Sequence, residues 1–143
     1  MYEDALARVD LFSGLDKKEL QILAKSCRER KYSAGTELLH QGDTGSGLYI
    51  LTSGTVRITQ ATQPGQPEQE IGTAGTGEVL GEMALLDDMP RSATVTAVTD
   101  VTALLLPTWD FHAVLRNNPD IAIKLLGVLS RRLRKAEGRI HNH

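Results

Sequence analysis

Apolar positions recur along this chain with three successive periods. Leu20, Leu23, Ala24 and Cys27 fall at helical spacing, and Asp16 followed by Glu19 has the form of a capping box, in which each side chain satisfies the other's backbone N–H. Residues 3–30 are therefore read as helix, with Leu11, Phe12 and Leu15 as an apolar joint ahead of the capped segment. Residues 34–106 lose that period. Ten of the 13 glycines fall there, between short apolar runs: Leu48 to Leu51, Val56 and Ile58 after Ser53-Gly54, Val79-Leu80, Ala93 to Val95, and Val101 to Leu106. Many short strands broken by turn signals predict a sandwich, jelly roll or barrel. Pro64, Gly65 and Pro67 mark residues 62–68 as an exposed hairpin loop.

Helical spacing returns over residues 108–140. Thr108 is a candidate N-cap before Trp109-Asp110-Phe111, and Asn117-Asn118-Pro119 ends that helix and starts the next, since proline suits a first helical turn. In the last helix Ala122, Leu126, Leu129, Leu133, Ala136 and Ile140 alternate gaps of 4 and 3, a heptad-like seam, and Ile121, Leu125 and Val128 form a second line beside it. One line can pack on its own domain while the other meets a second copy of the chain, giving a homodimer; alternatively both lines face one core. Gly127 and Gly138 each weaken this helix by about 1 kcal/mol relative to alanine.

A chain of 143 residues suits one domain, divided into N-terminal helices (1–32), a β-rich body (33–107) and C-terminal helices (108–143). A net charge of -2, from 18 acidic and 16 basic residues, lacks the basic excess of a phosphate-tracking nucleic-acid binder. The lone Cys27 can form no internal disulfide, which points to a reducing compartment, and its apolar setting reads as core. The opening Met1-Tyr2-Glu3-Asp4-Ala5 lacks the basic-then-apolar order of a signal peptide, and no apolar run has membrane-spanning length. A cytoplasmic location is expected. A cupin-type metal enzyme would need converging ligands, whereas His40, His112, His141 and His143 are scattered. Neither a metal, a cofactor nor a catalytic activity is expected.

The candidate chemistry lies in Gly81-Glu82-Met83-Ala84-Leu85-Leu86-Asp87-Asp88-Met89-Pro90-Arg91-Ser92-Ala93-Thr94-Val95. Gly81 permits close backbone approach. Glu82 to Leu86 can form one helical turn offering N–H groups to an anion. Arg91 can make a two-pronged contact to a phosphate, with the Ser92 hydroxyl and the Ser92 and Ala93 N–H groups as further donors. An ionised Glu82 accepts hydrogen bonds only, so beside a phosphate it makes sense with a neutral donor such as a sugar hydroxyl. A sugar phosphate satisfies both residues. A simple ion pair between Glu82 and Arg91 is the competing reading.

This segment closely resembles the phosphate-binding cassette of the cyclic nucleotide-binding domain family, in which Gly-Glu-x-Ala-Leu is followed, after a short gap, by Pro-Arg-Ser/Ala/Thr-Ala-Thr-Val. The gap length matches as well. Gln41-Gly42-Asp43, then Leu48 to Leu51, Ser53-Gly54 and Val56, resemble a second feature of the family, and the likeness runs from about Leu11 to Ile140. It is similar to the sensor domains of catabolite activator proteins and of bacterial cyclic nucleotide-gated channels. The resemblance implies a double-stranded β-helix (jelly roll) with N-terminal helices and a C-terminal helical pair. It implies a regulatory role in which ligand capture moves the last helix. It gives Arg91 the cyclic phosphate and Glu82 the ribose 2′-hydroxyl. Gly81, Met83 and Ala84 would make backbone contacts, Ser92 and Ala93 would complete the cradle, and Val56, Ile71 and Leu80 would wall the ribose and base. Serine at position 92 leans toward cAMP over cGMP. The positions that set hydroxyls against adenine in catabolite activators are Ala136 and Glu137 here, so the base would be capped otherwise, with Arg131, Arg132, Arg134 and Arg139 as candidates. Those relatives continue into a helix-turn-helix; this sequence stops before one, and direct DNA binding is not expected of it. The alternative is a degenerate member that keeps the fold as a ligand-independent interaction or dimerisation module.

Overall fold

The computed structural model describes residues 2–87 and 89–141, apart from the side chains of 139–141; Asp88, His143 and the side chains of Arg139, Ile140 and His141 lie outside the described residues. Two compact units divide the chain, one formed by Cys27–Trp109 and the other by residues 1–26 together with 110–143.

The first unit is a jelly roll. Its strands are β1 (Arg28–Tyr32), β2 (Glu37–Leu39), β3 (Gly47–Ser53), β4 (Val56–Gln60), β5 (Gln69–Ala74), β6 (Val79–Leu80), β7 (Thr94–Ala97) and β8 (Val101–Pro107). They form two antiparallel sheets in the orders β1-β8-β3-β6 and β2-β7-β4-β5. Leu39, Leu51, Val56, Val95, Ala97, Val101, Ala103 and Leu105 belong to the shared core. Val101, Ala103 and Leu105 take one face of β8 by strand alternation, and Leu104 and Leu106 on its other face are buried as well. That double burial explains the continuous apolar run read from the sequence. The turn between β4 and β5 is exposed, as Pro64, Gly65 and Pro67 predict.

Residues 28–32 correct the helical reading of 3–30. They form β1, an edge strand whose Arg28, Glu29, Arg30 and Lys31 are exposed. No apolar alternation marks it; hydrogen bonding to β8, from Arg28 opposite Leu105 to Tyr32 opposite Val101, makes the strand. Four charged side chains on an edge also discourage pairing with another sheet. Cys27 therefore lies between helix and strand, where burial pushes its thiol up to about 12, the opposite of a reactive cysteine.

The second unit is helical. It holds α1 (Glu3–Leu6), a 3-10 turn (Asp10–Phe12) and α2 (Lys17–Ala24). The helices α3 (Thr108–Asn117), which begins directly at the end of β8, and α4 (Pro119–His141) follow the jelly roll. The capping box forms as expected: Glu19 N–H donates to Asp16 Oδ1 and Asp16 N–H to Glu19 Oε1, each at 2.9 Å. Phe12 and Phe111, both buried, pack with ring centroids 6.0 Å apart and ring planes tilted by 37°. Lys124 Nζ donates to Glu19 Oε1 at 2.6 Å and Arg132 to Asp10 Oδ2, so two charge-assisted bonds fix how α4 lies against the N-terminal segment. The contact with Glu19 raises the Lys124 ammonium above its ordinary value. Along α4 the two apolar lines part company. Ile121, Leu125 and Val128 are buried, while Leu126 and Leu133 of the seam are 64% and 61% exposed. No described helix is long and apolar enough to cross a membrane.

Candidate ligand pocket

The pocket grows from two segments far apart in sequence. The β2–β3 turn and the cassette lock together through backbone bonds: Arg91 N–H donates to the Asp43 carbonyl at 2.8 Å and Gly42 N–H to the Arg91 carbonyl at 2.9 Å. Thr44 and Pro90 form an isolated bridge beside them. Polar groups of β4 and of the turn after it secure the surroundings. Gln41 clamps the Ala61 backbone with both ends of its amide, at 2.9 and 2.8 Å, and Gln60 Nε2 donates to the Ser92 carbonyl at 2.8 Å.

Arg91 is 8% exposed, an unusual place for a guanidinium. Its Nη2 donates to the Gly47 carbonyl, and its Nε has no hydrogen-bond partner among the described residues. Burial lowers its affinity for the proton, an effect that the nearby Tyr49 opposes. Two glycines make room for it. A Cβ on Gly81, which stands at φ +78°, would lie 2.0 Å from Arg91 Nη1, and a Cβ on Gly45 would lie 2.9 Å from Arg91 Cζ and from Ala84 Cβ. Tyr49 is itself paired: Ser46 Oγ and Tyr49 Oη are 3.0 Å apart. Burial, and then the neighbouring Tyr49, push the Tyr32 phenol up to about 12.

A cavity of about 160 Å³ opens beside Arg91, lined by Leu39, Ile58, Leu80, Gly81, Arg91, Ser92, Ala93 and Val95. One wall is cationic and donor-rich; the other is aliphatic. Of the residues singled out from the sequence, it brings together Leu80, Gly81, Arg91, Ser92 and Ala93. Glu82, Met83 and Ala84 sit on the adjoining 3-10 turn (Met83–Leu85) and do not line it. Within that turn the Ala84, Leu85 and Leu86 N–H groups close on the carbonyls of Gly81, Glu82 and Met83, so these three are not offered outward. Val56 is fully buried in the jelly-roll core, and Ile71 is 57% exposed on β5. Leu39, Ile58 and Val95, and the glycines at 45 and 47, escaped the sequence reading.

Comparison with known proteins shows what the whole chain is similar to. The family model of the cyclic nucleotide-binding domain matches residues 29–118. A cyclic AMP receptor protein of Thermus thermophilus is 39% identical over 127 residues, covering 89% of this chain and 58% of that protein. A cAMP-dependent protein kinase regulatory subunit of Mycosarcoma maydis is 33% identical over 140 residues, covering 96% of this chain and 26% of that one. The crystal structure of the N-terminal domain of a transcriptional regulator from Streptomyces coelicolor superposes with a TM-score of 0.84 at 37% identity, covering 96% of this chain and 95% of that domain. The chain thus spans about three-fifths of the length of the bacterial receptor proteins that it matches.

Proposed function

The chain belongs to the cyclic nucleotide-binding domain family, and from that premise we propose that it is a regulatory sensor, not a catalyst, whose ligand is a cyclic nucleotide, cAMP before cGMP. The observation that carries this reading is the buried Arg91, its Nε without a partner among the described residues, beside an aliphatic-walled cavity. A buried cation with a spare donor is satisfied by an anion, and the aliphatic wall suits the rest of a sugar phosphate. The cavity is smaller than the few hundred Å³ that a whole ligand of this size fills, roughly 300–1,000 Å³ in known sites, so it suits the cyclic phosphate and ribose. In this proposal Arg91 takes the phosphate, with Gly81, Ser92 and Ala93 beside it. Glu82 takes the ribose 2′-hydroxyl and Met83 adds a backbone contact; Ala84, whose N–H already bonds the Gly81 carbonyl, packs beside them without donating. Leu80 walls the sugar; Val56 supports that wall from the core, and Ile71 reaches the ligand only at its rim.

Titration calorimetry with cAMP, cGMP and 5′-AMP tests the assignment. Saturable one-to-one binding is expected, tightest for cAMP; absence of heat with all three would leave the ligand-independent module. Ligand capture is proposed to act by shifting α4 between two positions, which requires unequal affinity for them. Hydrogen exchange along α4 should then change on saturation with cAMP, and identical exchange rates would remove the switch.

The proposed partner is a second copy of the chain, meeting it through the exposed Leu126 and Leu133 of α4. Sedimentation equilibrium is expected to show a dimer for the parent and a monomer for Leu126→Glu/Leu133→Glu. A parent that stays monomeric at high micromolar concentration would exclude this interface.

A further inference from the structure

Among the described residues three polar side chains are buried: Arg91, Thr59 and Thr94. Arg91 belongs to the pocket. The other two, on β4 and β7, give their hydroxyl protons to one carboxylate, that of Glu68. Thr59 Oγ1 donates to Glu68 Oε2 at 2.9 Å and Thr94 Oγ1 to Glu68 Oε1 at 3.1 Å. The two threonines are register partners across the sheet, so Glu68, at the end of the exposed β4–β5 turn, straddles the β4–β7 pair. Thr94 is the first residue of β7, the point at which the chain leaves the cassette for the sheet.

The polarity of this node is fixed. A carboxylate offers only acceptors, so Thr94 must spend its single proton on Glu68 and can then only accept. What it accepts is the Gln41 N–H, at 2.9 Å. A directed chain results: Gln41 N–H to Thr94 hydroxyl to Glu68. It joins the β2–β3 turn, whose Asp43 carbonyl holds the Arg91 N–H, to the end of the cassette. Bonds in such a chain polarise and strengthen one another.

We propose that Glu68 is a positioning residue for the pocket: its carboxylate sets the Thr94 hydroxyl and so holds the β2–β3 turn and the cassette in the register that aims Arg91 into the cavity. It touches no ligand and acts through Thr94 and Gln41. The inference rests on the cyclic nucleotide reading above, and the parent protein separates the two: a parent that ignores cAMP sinks that reading, while a parent that binds with unaffected variants sinks only this one.

The test is calorimetry with cAMP at 20 °C on the parent, Glu68→Ala, Glu68→Gln and Thr94→Val, with thermal melts of each. Glu68→Ala is expected to bind about tenfold more weakly, the scale of one charge-assisted hydrogen bond. Glu68→Gln should bind within about threefold of the parent, because its amide oxygen still accepts from Thr94 while its NH2 turns to the Thr59 oxygen. Thr94→Val preserves shape and breaks the chain at its centre, so it should match Glu68→Ala. It also decides the matter if Glu68→Ala fails to fold. In the unliganded protein, the Gln41 amide should exchange faster in Glu68→Ala than in the parent. Parent-like cAMP affinity in Thr94→Val, or a loss in Glu68→Gln equal to that in Glu68→Ala, would overturn the proposal. So would lowered melting temperatures with unchanged affinities, which describe a merely structural contact.

Discussion

Arg91→Leu is expected to abolish useful cyclic nucleotide affinity while leaving the unliganded fold as stable as the parent, or more so. The two halves of that expectation have separate causes. In the unliganded protein the guanidinium is buried, desolvated enough to lower its proton affinity, and its Nε has no partner among the described residues. Leucine removes that burden. It also removes the charge-assisted Nη2 bond to the Gly47 carbonyl, a loss of about 1.5–3 kcal/mol. Replacing buried charge by a packed apolar group is often neutral or stabilising by about 1–4 kcal/mol, so the balance falls near zero or above it. With ligand the sign reverses. A cyclic phosphate desolvated against a leucine has lost its charged partner, which costs about 3–5 kcal/mol, roughly 10²–10⁴-fold in affinity. Arg91→Lys keeps the charge but not the planar fork, and should recover only part of that loss. Calorimetry and a thermal melt read both halves. If cAMP affinity falls less than tenfold, the phosphate does not sit on Arg91. If the melting temperature of unliganded Arg91→Leu drops sharply, the guanidinium is a structural strut and not a waiting ligand group.

The sequence disclosed those features whose causes are local. The Asp16–Glu19 capping box, the 62–68 turn, and the break at Asn118-Pro119 depend on residues within a few positions of one another, and each is where the spacing placed it. The cassette was legible for the same reason: Gly81, Arg91, Ser92 and Ala93 occupy one short stretch, and the cavity gathers all four. What stayed hidden depends on pairing across long separations. β1 is a strand because β8 lies beside it, and no pattern in Arg28-Glu29-Arg30-Lys31 reports that. Gly45 and Gly47 meet Arg91 from more than forty residues away; the small-residue run Thr44-Gly45-Ser46-Gly47 was the available signal. Alternation puts Val56 and Ile58 on one face of β4, but it does not say which is deep in the core and which reaches the cavity. The irregularity between Ile58 and Thr59 in the β4–β5 register adds to that ambiguity, and Ile71 lies beside it on β5. On α4 both apolar lines were visible. Only packing against the N-terminal segment separated the buried Ile121, Leu125 and Val128 from the exposed seam.

Gly81→Ala should remove ligand binding as thoroughly as the loss of Arg91 itself, and unlike that loss it should also weaken the fold. Gly81 stands at φ +78°, where an alanine is strained by about 1–2 kcal/mol. Its Cβ would also lie 2.0 Å from Arg91 Nη1, which no side chain tolerates. A flexible arginine could ordinarily swing aside, but this one is closely held: a Cβ at Gly45 would also meet Arg91 Cζ at 2.9 Å. The guanidinium touches two glycines, and pushing it off Gly81 is expected to break its bond to the Gly47 carbonyl and turn it from the cavity. Stability is therefore expected to fall by about 1–3 kcal/mol, from backbone strain plus the broken bond, and cAMP affinity by roughly 10²-fold or more. The collision and the strain can be told apart with a double-mutant cycle. In an Arg91→Leu background there is no Nη1 to strike, so the stability penalty of Gly81→Ala should shrink to the strain of the left-handed backbone alone, about 1–2 kcal/mol. A penalty of the same size in both backgrounds would mean that Gly81 serves the turn alone, and that the space around the Arg91 side chain is not what its missing Cβ secures.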